Sequence, residues 1–187
     1  MVRTTLLPGL LKTLQHNKSA SFTKGFKIFE ISDVVVKDST ESVCETIIGA
    51  KNIRRICAVY AGPTSGFEII HGLVDRIMTL CEVCPEADYC KNSSREEEEK
   101  YRVVKEGWYY TISSLDEWSS SATTTEVTKG VIGTYFPGRS AAVLLTNPKC
   151  GTRVSIGSFG VLHPDVLNEF DILYPASCVE IDLETLL

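Results

Sequence analysis

The stretch Phe26-Lys-Ile-Phe-Glu-Ile-Ser-Asp-Val-Val-Val36 is rich in Phe, Ile and Val and predicts a long, largely buried strand. A polar connection follows. Arg54 to Tyr60 then predicts a second strand, antiparallel to the first. Helical patterns flank this pair on both sides. Upstream, a helix is expected to start near Thr5, with Pro8 in the first turn, where its missing N–H costs nothing. Leu7, Leu10, Leu11 and Leu14 recur at i, i+3, i+4 and i+7, one apolar stripe. Asn17 to Gly25 reads as a loop. Downstream, Gly62-Pro-Thr-Ser-Gly66 is a break, and Ser65 with Glu68 three residues later has the spacing of a capping box. The helix that begins there has Ile70, Leu73, Val74, Ile77, Cys81 and Cys84 as its buried stripe, and Pro85 stops it.

The second half is uneven. Asp88 to Gly130 holds the acidic run Arg95-Glu-Glu-Glu-Glu-Lys100, both tryptophans and the tract Ser119-Ser-Ser-Ala-Thr-Thr-Thr125. A strand or hairpin is expected around Tyr101 to Ile112 from its aromatic and β-branched content, and the Ser/Thr tract reads as a loop. From Tyr135 the pattern is regular again. Strands are expected over Ala141–Leu145 and Arg153–Leu162, around the turn Asn147-Pro-Lys-Cys-Gly151. His163-Pro164-Asp165 opens a short helix to about Phe170, and Cys178 to Leu183 closes as a strand. The residues alone support the reading of a soluble α+β domain.

Composition bounds function. A chain of 187 residues fits one domain, or one domain with an insertion at about 88–130, and can bury a real core. With 19 Lys+Arg against 24 Asp+Glu, the net charge is −5. Such a surface disfavours a primary nucleic-acid role, because phosphate binding needs clustered cations. No stretch approaches the roughly 20 apolar residues that span a bilayer, and the N-terminus lacks a signal-peptide layout. The abrupt start, with helix signals running by Thr5, reads as a piece of a longer polypeptide. Seven scattered cysteines suit reduced thiols in a cytoplasmic protein better than a disulfide framework.

Candidate chemistry is sparse. Cys81, Cys84 and Cys90 have no second matched Cys/His pair, so core packing is favoured over zinc, and no metal site is expected. The histidines form no recognisable nucleophile arrangement. His71 fits a structural place at the start of its helix. His163 fits the cap of the helix that Pro164 begins. Phe136-Pro-Gly-Arg139 fixes a turn and presents a planar guanidinium suited to an anion; an ion pair with Glu30 or another buried acid is the favoured alternative. Neither G-x-G-x-x-G nor a Walker pattern occurs. No catalytic or cofactor-binding residue is assigned. Glu30, His71, Arg139 and His163 are the candidates for a vestigial pocket or for structural roles.

Five phrases in order carry a family resemblance: Arg3-Thr-Thr-Leu-Leu-Pro-Gly-Leu-Leu, Phe26-Lys-Ile-Phe-Glu-Ile-Ser-Asp, Gly66-Phe-Glu-Ile-Ile-His-Gly-Leu-Val-Asp-Arg, Phe136-Pro-Gly-Arg-Ser-Ala and Gly160-Val-Leu-His-Pro-Asp-Val. Together they resemble the C-terminal part of the beta subunit of phenylalanyl-tRNA synthetase, eukaryotic-cytosolic or archaeal in type. The resemblance covers nearly everything outside about 88–130. It implies a degenerate class II synthetase core, an antiparallel sheet with flanking helices and no working active site. It implies an α2β2 enzyme in which the alpha subunit uses ATP and Mg²⁺ to charge tRNA(Phe), while this part packs on alpha and supports assembly. In that comparison Arg3 to Leu11 corresponds to a helix near a subunit interface. The strand Lys27-Ile-Phe-Glu30 lacks the arginine that active class II enzymes place before the glutamate.

Three functions compete on these readings. An assembly module should carry uncovered apolar helix faces and self-associate when alone, since obligate interfaces resemble a core cut in half. A small-molecule binder or regulatory module would reuse an open sheet face lined by Glu30, His71 and Arg139. Direct tRNA contact is disfavoured by the acidic balance.

Overall fold

A computed structural model of the chain describes residues 2–18, 24–37, 49–92, 107–115, 117 and 133–186. Its elements are α1 (Leu7–His16), β1 (Phe26–Lys37), β2 (Ala50–Ala61), α2 (Phe67–Leu80), β3 (Cys84–Pro85), α3 (Glu86–Asn92), β4 (Tyr109–Ser114), β5 (Tyr135–Thr146), β6 (Arg153–Leu162), α4 (Pro164–Glu169) and β7 (Ala176–Asp182). One seven-stranded sheet runs β1-β2-β7-β6-β5-β4-β3. Every pair is antiparallel except the two-residue β3–β4 pair, which is parallel. The class is α+β, as the sequence predicts.

Alternation along the strands sends side chains to two cores. Leu7, Leu10, Leu11 and Leu14 of α1 pack with Val34, Cys57, Val59, Leu144 and Cys178 on one face. Ile70, Val74, Ile77 and Met78 of α2 pack with Ala58, Val143, Phe159 and Ile181 on the other. The α1 stripe is the one predicted. The helix begins at Leu7, because Thr5 turns its hydroxyl to Glu180 instead of entering the helix.

Several expectations are corrected. Ser65 does not cap α2; the N-cap is Gly66, with no side-chain cap bond. The cause is the ring of Tyr60, 6% exposed. A Cβ on Gly66 would stand 2.1 Å from Tyr60 Cδ1, and Gly25 and Gly62 approach the same ring almost as closely. With φ of +66° besides, Gly66 admits no other residue without strain. Gly66→Ala should therefore destabilise the chain by about 2 kcal/mol or more, read as a lowered urea midpoint at unchanged slope. A midpoint equal to the parent's would show that the Tyr60 cradle is slack.

The C-terminal end of α2 also differs. The helix stops at Leu80, and Glu82 turns left-handed with φ of 57°. Cys81 is therefore the C-cap and Cys84 lies in β3; both are half-buried and off the helical stripe. The Phe136-Pro-Gly turn is absorbed into β5 as a register shift between Tyr135 and Ser140, with Gly138 at φ +70°. The strand expected around 101–112 is β4, beginning at Tyr109; residues 101–106, the acidic run and the Ser/Thr tract lie outside the described residues.

The largest correction concerns β1. It is not largely buried but is the outer strand of the sheet, with alternate residues open to solvent. Among the described residues no helix is long and apolar enough to cross a membrane.

Candidate functional site

Strand β1 divides its side chains between two environments. Ile28, Glu30, Ser32 and Val34 turn toward the α1 face, and Val34 is fully buried. Phe29 and Ile31 turn the other way, beside Ala58 and Ile56 of β2. Helix α2 lies over β2, β7 and β6 and leaves this margin bare. Phe29 is 69% exposed and Ile31 52%. Lys27 borders the patch at one end, and the pair Arg54–Asp33, Nε to Oδ1 at 2.8 Å, borders it at the other. That pair holds the Asp33 carboxyl below its usual range, first through the hydrogen bond from Arg54. Two large apolar residues inside a charged margin have the composition of an interface centre with its polar rim.

The residues expected to share a vestigial pocket are not gathered. Glu30 is held by Arg3, whose Nη1 donates to Oε1 at 2.7 Å, so its partner is not Arg139. Arg139 is exposed instead of buried, and among the described residues it has no ion pair. It lines a hollow of about 450 Å³ with Thr64, Ser65, Glu68 and Ser140. His71 lines a separate hollow of about 380 Å³ with Asp75, Glu86 and Tyr110. There His71 Nδ1 lies 3.5 Å from Asp75 Oδ2, and the Tyr110 hydroxyl donates to Asp75 Oδ1 at 3.0 Å. Burial, reinforced by that bond, pushes the Tyr110 hydroxyl well above its usual pKa, so it stays a donor. His163 stands at the N-cap of α4, where its Nδ1 accepts from the Asp165 N–H at 3.2 Å and its ring stacks on Phe136.

Two thiols lie deep beneath the sheet. Cys178 is pushed up to about 12 by burial, and burial pushes Cys57 higher still. Both act as small apolar fillers. Among the described residues, no three His, Cys, Asp or Glu side chains gather in a metal-binding arrangement.

The family model for the phenylalanyl tRNA synthetase beta chain CLM domain matches residues 1–183. This chain belongs to that family. It is 39% identical over 186 residues to a relative from Arabidopsis thaliana named phenylalanine–tRNA ligase beta subunit, cytoplasmic, covering 100% of this chain and 25% of the relative. The beta subunit from Mus musculus is 41% identical over 187 residues, covering 100% of this chain and 24% of the relative. The one from Saccharomyces cerevisiae is 37% identical over 187 residues, covering 100% and 26% respectively. The chain thus spans about a quarter of the length of the curated relatives it matches. It is a beta-chain module of the phenylalanyl-tRNA synthetase family, and the open face of β1 is the feature of that module its sequence reading missed. A signal was present. On β1 the polar residues Glu30 and Ser32 alternate with the apolar residues Phe29 and Ile31, so one face had to be polar inward or apolar outward.

Proposed function

We propose that this chain is a non-catalytic core module of the beta subunit of a cytoplasmic phenylalanine–tRNA ligase. It would be a single degenerate class II synthetase core that packs on the alpha subunit and supports an α2β2 assembly. In this reading ATP and Mg²⁺ are used through the alpha subunit, and tRNA(Phe) is engaged through the holoenzyme. The observation that carries the reading is the uncovered Phe29/Ile31 face of β1. The apolar helix faces expected to be partly uncovered are largely buried on α1 and α2; α2 leaves only Ile69 and Leu80 exposed among its large apolar residues.

Strand β1 does not fit an ATP–Mg²⁺ site. Its glutamate, Glu30, is already paired with Arg3, and the sequence Lys27-Ile-Phe-Glu30 supplies no arginine ahead of it. Adenylate formation needs fixed cations around the migrating phosphate charge, and β1 offers none so placed.

The test uses full-length beta chain co-expressed with its alpha subunit, followed by size exclusion with light scattering. A stable co-eluting complex is expected, with pyrophosphate exchange in the complex and none from the beta chain alone. Two well-folded chains eluting apart, or exchange by the beta chain alone, would overturn the reading.

A further inference from the structure

Arg3 precedes α1, yet every one of its described contacts reaches β1. Its Nη1 donates to Glu30 Oε1 at 2.7 Å, its Nη2 donates to Ser32 Oγ, and its Nε donates to the Asp33 carbonyl at 3.3 Å. Its own carbonyl accepts the Val35 N–H at 3.0 Å. Because β1 is the outer strand, alternate residues turn both peptide groups away from β2. Asp33 and Val35 are two of these, and Arg3 occupies the carbonyl of one and the N–H of the other. Phe29 and Ile31 are in the same phase, and among the described residues nothing pairs with their outward peptide groups. The open edge of β1 therefore ends where Arg3 begins. On the inner side, Gly9 of α1 brings its backbone to 3.6 Å, measured from an added Cβ, of Glu30 Oε2. Glu30 thus lies close to α1 as well as to Arg3, while the pair itself stays partly open to solvent.

We propose that Arg3 is a positioning residue for the partner-facing strand: by gripping Glu30, Ser32 and the peptide groups of Asp33 and Val35, it holds β1 in the pose in which Phe29 and Ile31 meet the alpha subunit. This rests on the assembly reading above. A planar fork suits the task, because three acceptors in different directions are met by one side chain whose donors are fixed relative to one another. It also occupies one outward peptide group each of Asp33 and Val35, which leaves that part of the outer strand less open to pairing with other chains.

The experiment uses full-length beta chain titrated with alpha subunit, with amide hydrogen exchange in parallel. Arg3→Ala should weaken association about tenfold, the scale of one lost positioned interaction. Exchange should quicken along β1, at Val35 above all, while β5, β6 and β7 keep their protection. Arg3→Lys, which keeps the charge and loses the fork, should recover part of the affinity. Unchanged affinity in Arg3→Ala sinks the proposal, as does exchange quickened equally across the sheet, which would make Arg3 a residue of global stability. Phe29→Asp separates the two readings. If it weakens association and Arg3→Ala does not, this inference alone fails; if neither does, the alpha subunit docks elsewhere, and the β1 docking face on which this inference rests fails with it.

Discussion

Replacing Glu180 by alanine should lower the unfolding free energy of the chain by about 3–5 kcal/mol, the cost of stranding a buried charge without its partner. Glu180 on β7 faces Cys57 on β2 and is one of the few acids taken out of water here. Its side chain is 13% exposed and that of Arg55 18%, with Nη1 to Oε1 at 3.1 Å. The carboxylate also accepts from the Thr5 hydroxyl and from the Leu6 N–H. Arg55 in turn reaches the Thr4 carbonyl at 3.4 Å. Three parts of the chain, the entry to α1, β2 and β7, thus close on one ion pair. Leu6, just beyond it, is fully buried, so loosening this knot also loosens the helix that covers one face of the sheet. Urea unfolding of Glu180→Ala, Arg55→Ala and the double variant checks the claim. The double variant should cost less than the sum of the singles, since it leaves no unpaired charge. A loss under about 1 kcal/mol in Glu180→Ala would place the pair with ordinary surface ion pairs and refute the argument.

This knot shows why the sequence was legible in parts. Elements defined by one periodicity and local punctuation came through. The four leucines of α1 form a stripe that needs no knowledge of its partner, and β6 runs over the residues its pattern marks, from Arg153 to Leu162. His163 ahead of Pro164 marks the start of α4. What was hidden depends on residues distant in the chain. The Ser65–Glu68 spacing suggested a capping box, but Tyr60 demanded a bare backbone at Gly66. Cys81 and Cys84 continued the helical period, yet Glu82 ended it by turning left-handed. Glu30 looked like a partner for Arg139 and is taken by Arg3, 27 residues away. Long-range pairings of this kind leave no periodic trace, and the vestigial pocket they were expected to build is dispersed over two hollows and a strand edge.

The outer face of β1 carries the largest functional consequence. Phe29→Asp in the full-length beta chain should weaken association with the alpha subunit by about 2–4 kcal/mol, the scale of a central aromatic anchor, or roughly a hundredfold in affinity. The same change should leave folding within about 0.5 kcal/mol of the parent, because the ring is already mostly in water. A charge on an outer strand is also a common guard against pairing, so the variant should reduce any self-association of the isolated chain. The contrast between the two readouts is what gives the test its force. A residue held for packing loses stability when charged; a residue held for a partner loses only the partner. The inner side of the same strand argues for the second. Glu30 and Ser32 occupy positions that an ordinary outer strand would fill with apolar side chains toward its core, and both are satisfied by Arg3. Phe29 and Ile31 turn outward, where no helix among the described residues covers them and Lys27, Asp33 and Arg54 border them. An arrangement that places polar groups inward and a phenylalanine outward stabilises the isolated chain less than the reverse would, and in the assembly proposed above the difference would be recovered when the alpha subunit covers Phe29 and Ile31. Titration of Phe29→Asp by light scattering therefore decides between a strand shaped for its own core and one shaped for another chain; affinity equal to the parent's would mean that the alpha subunit docks elsewhere.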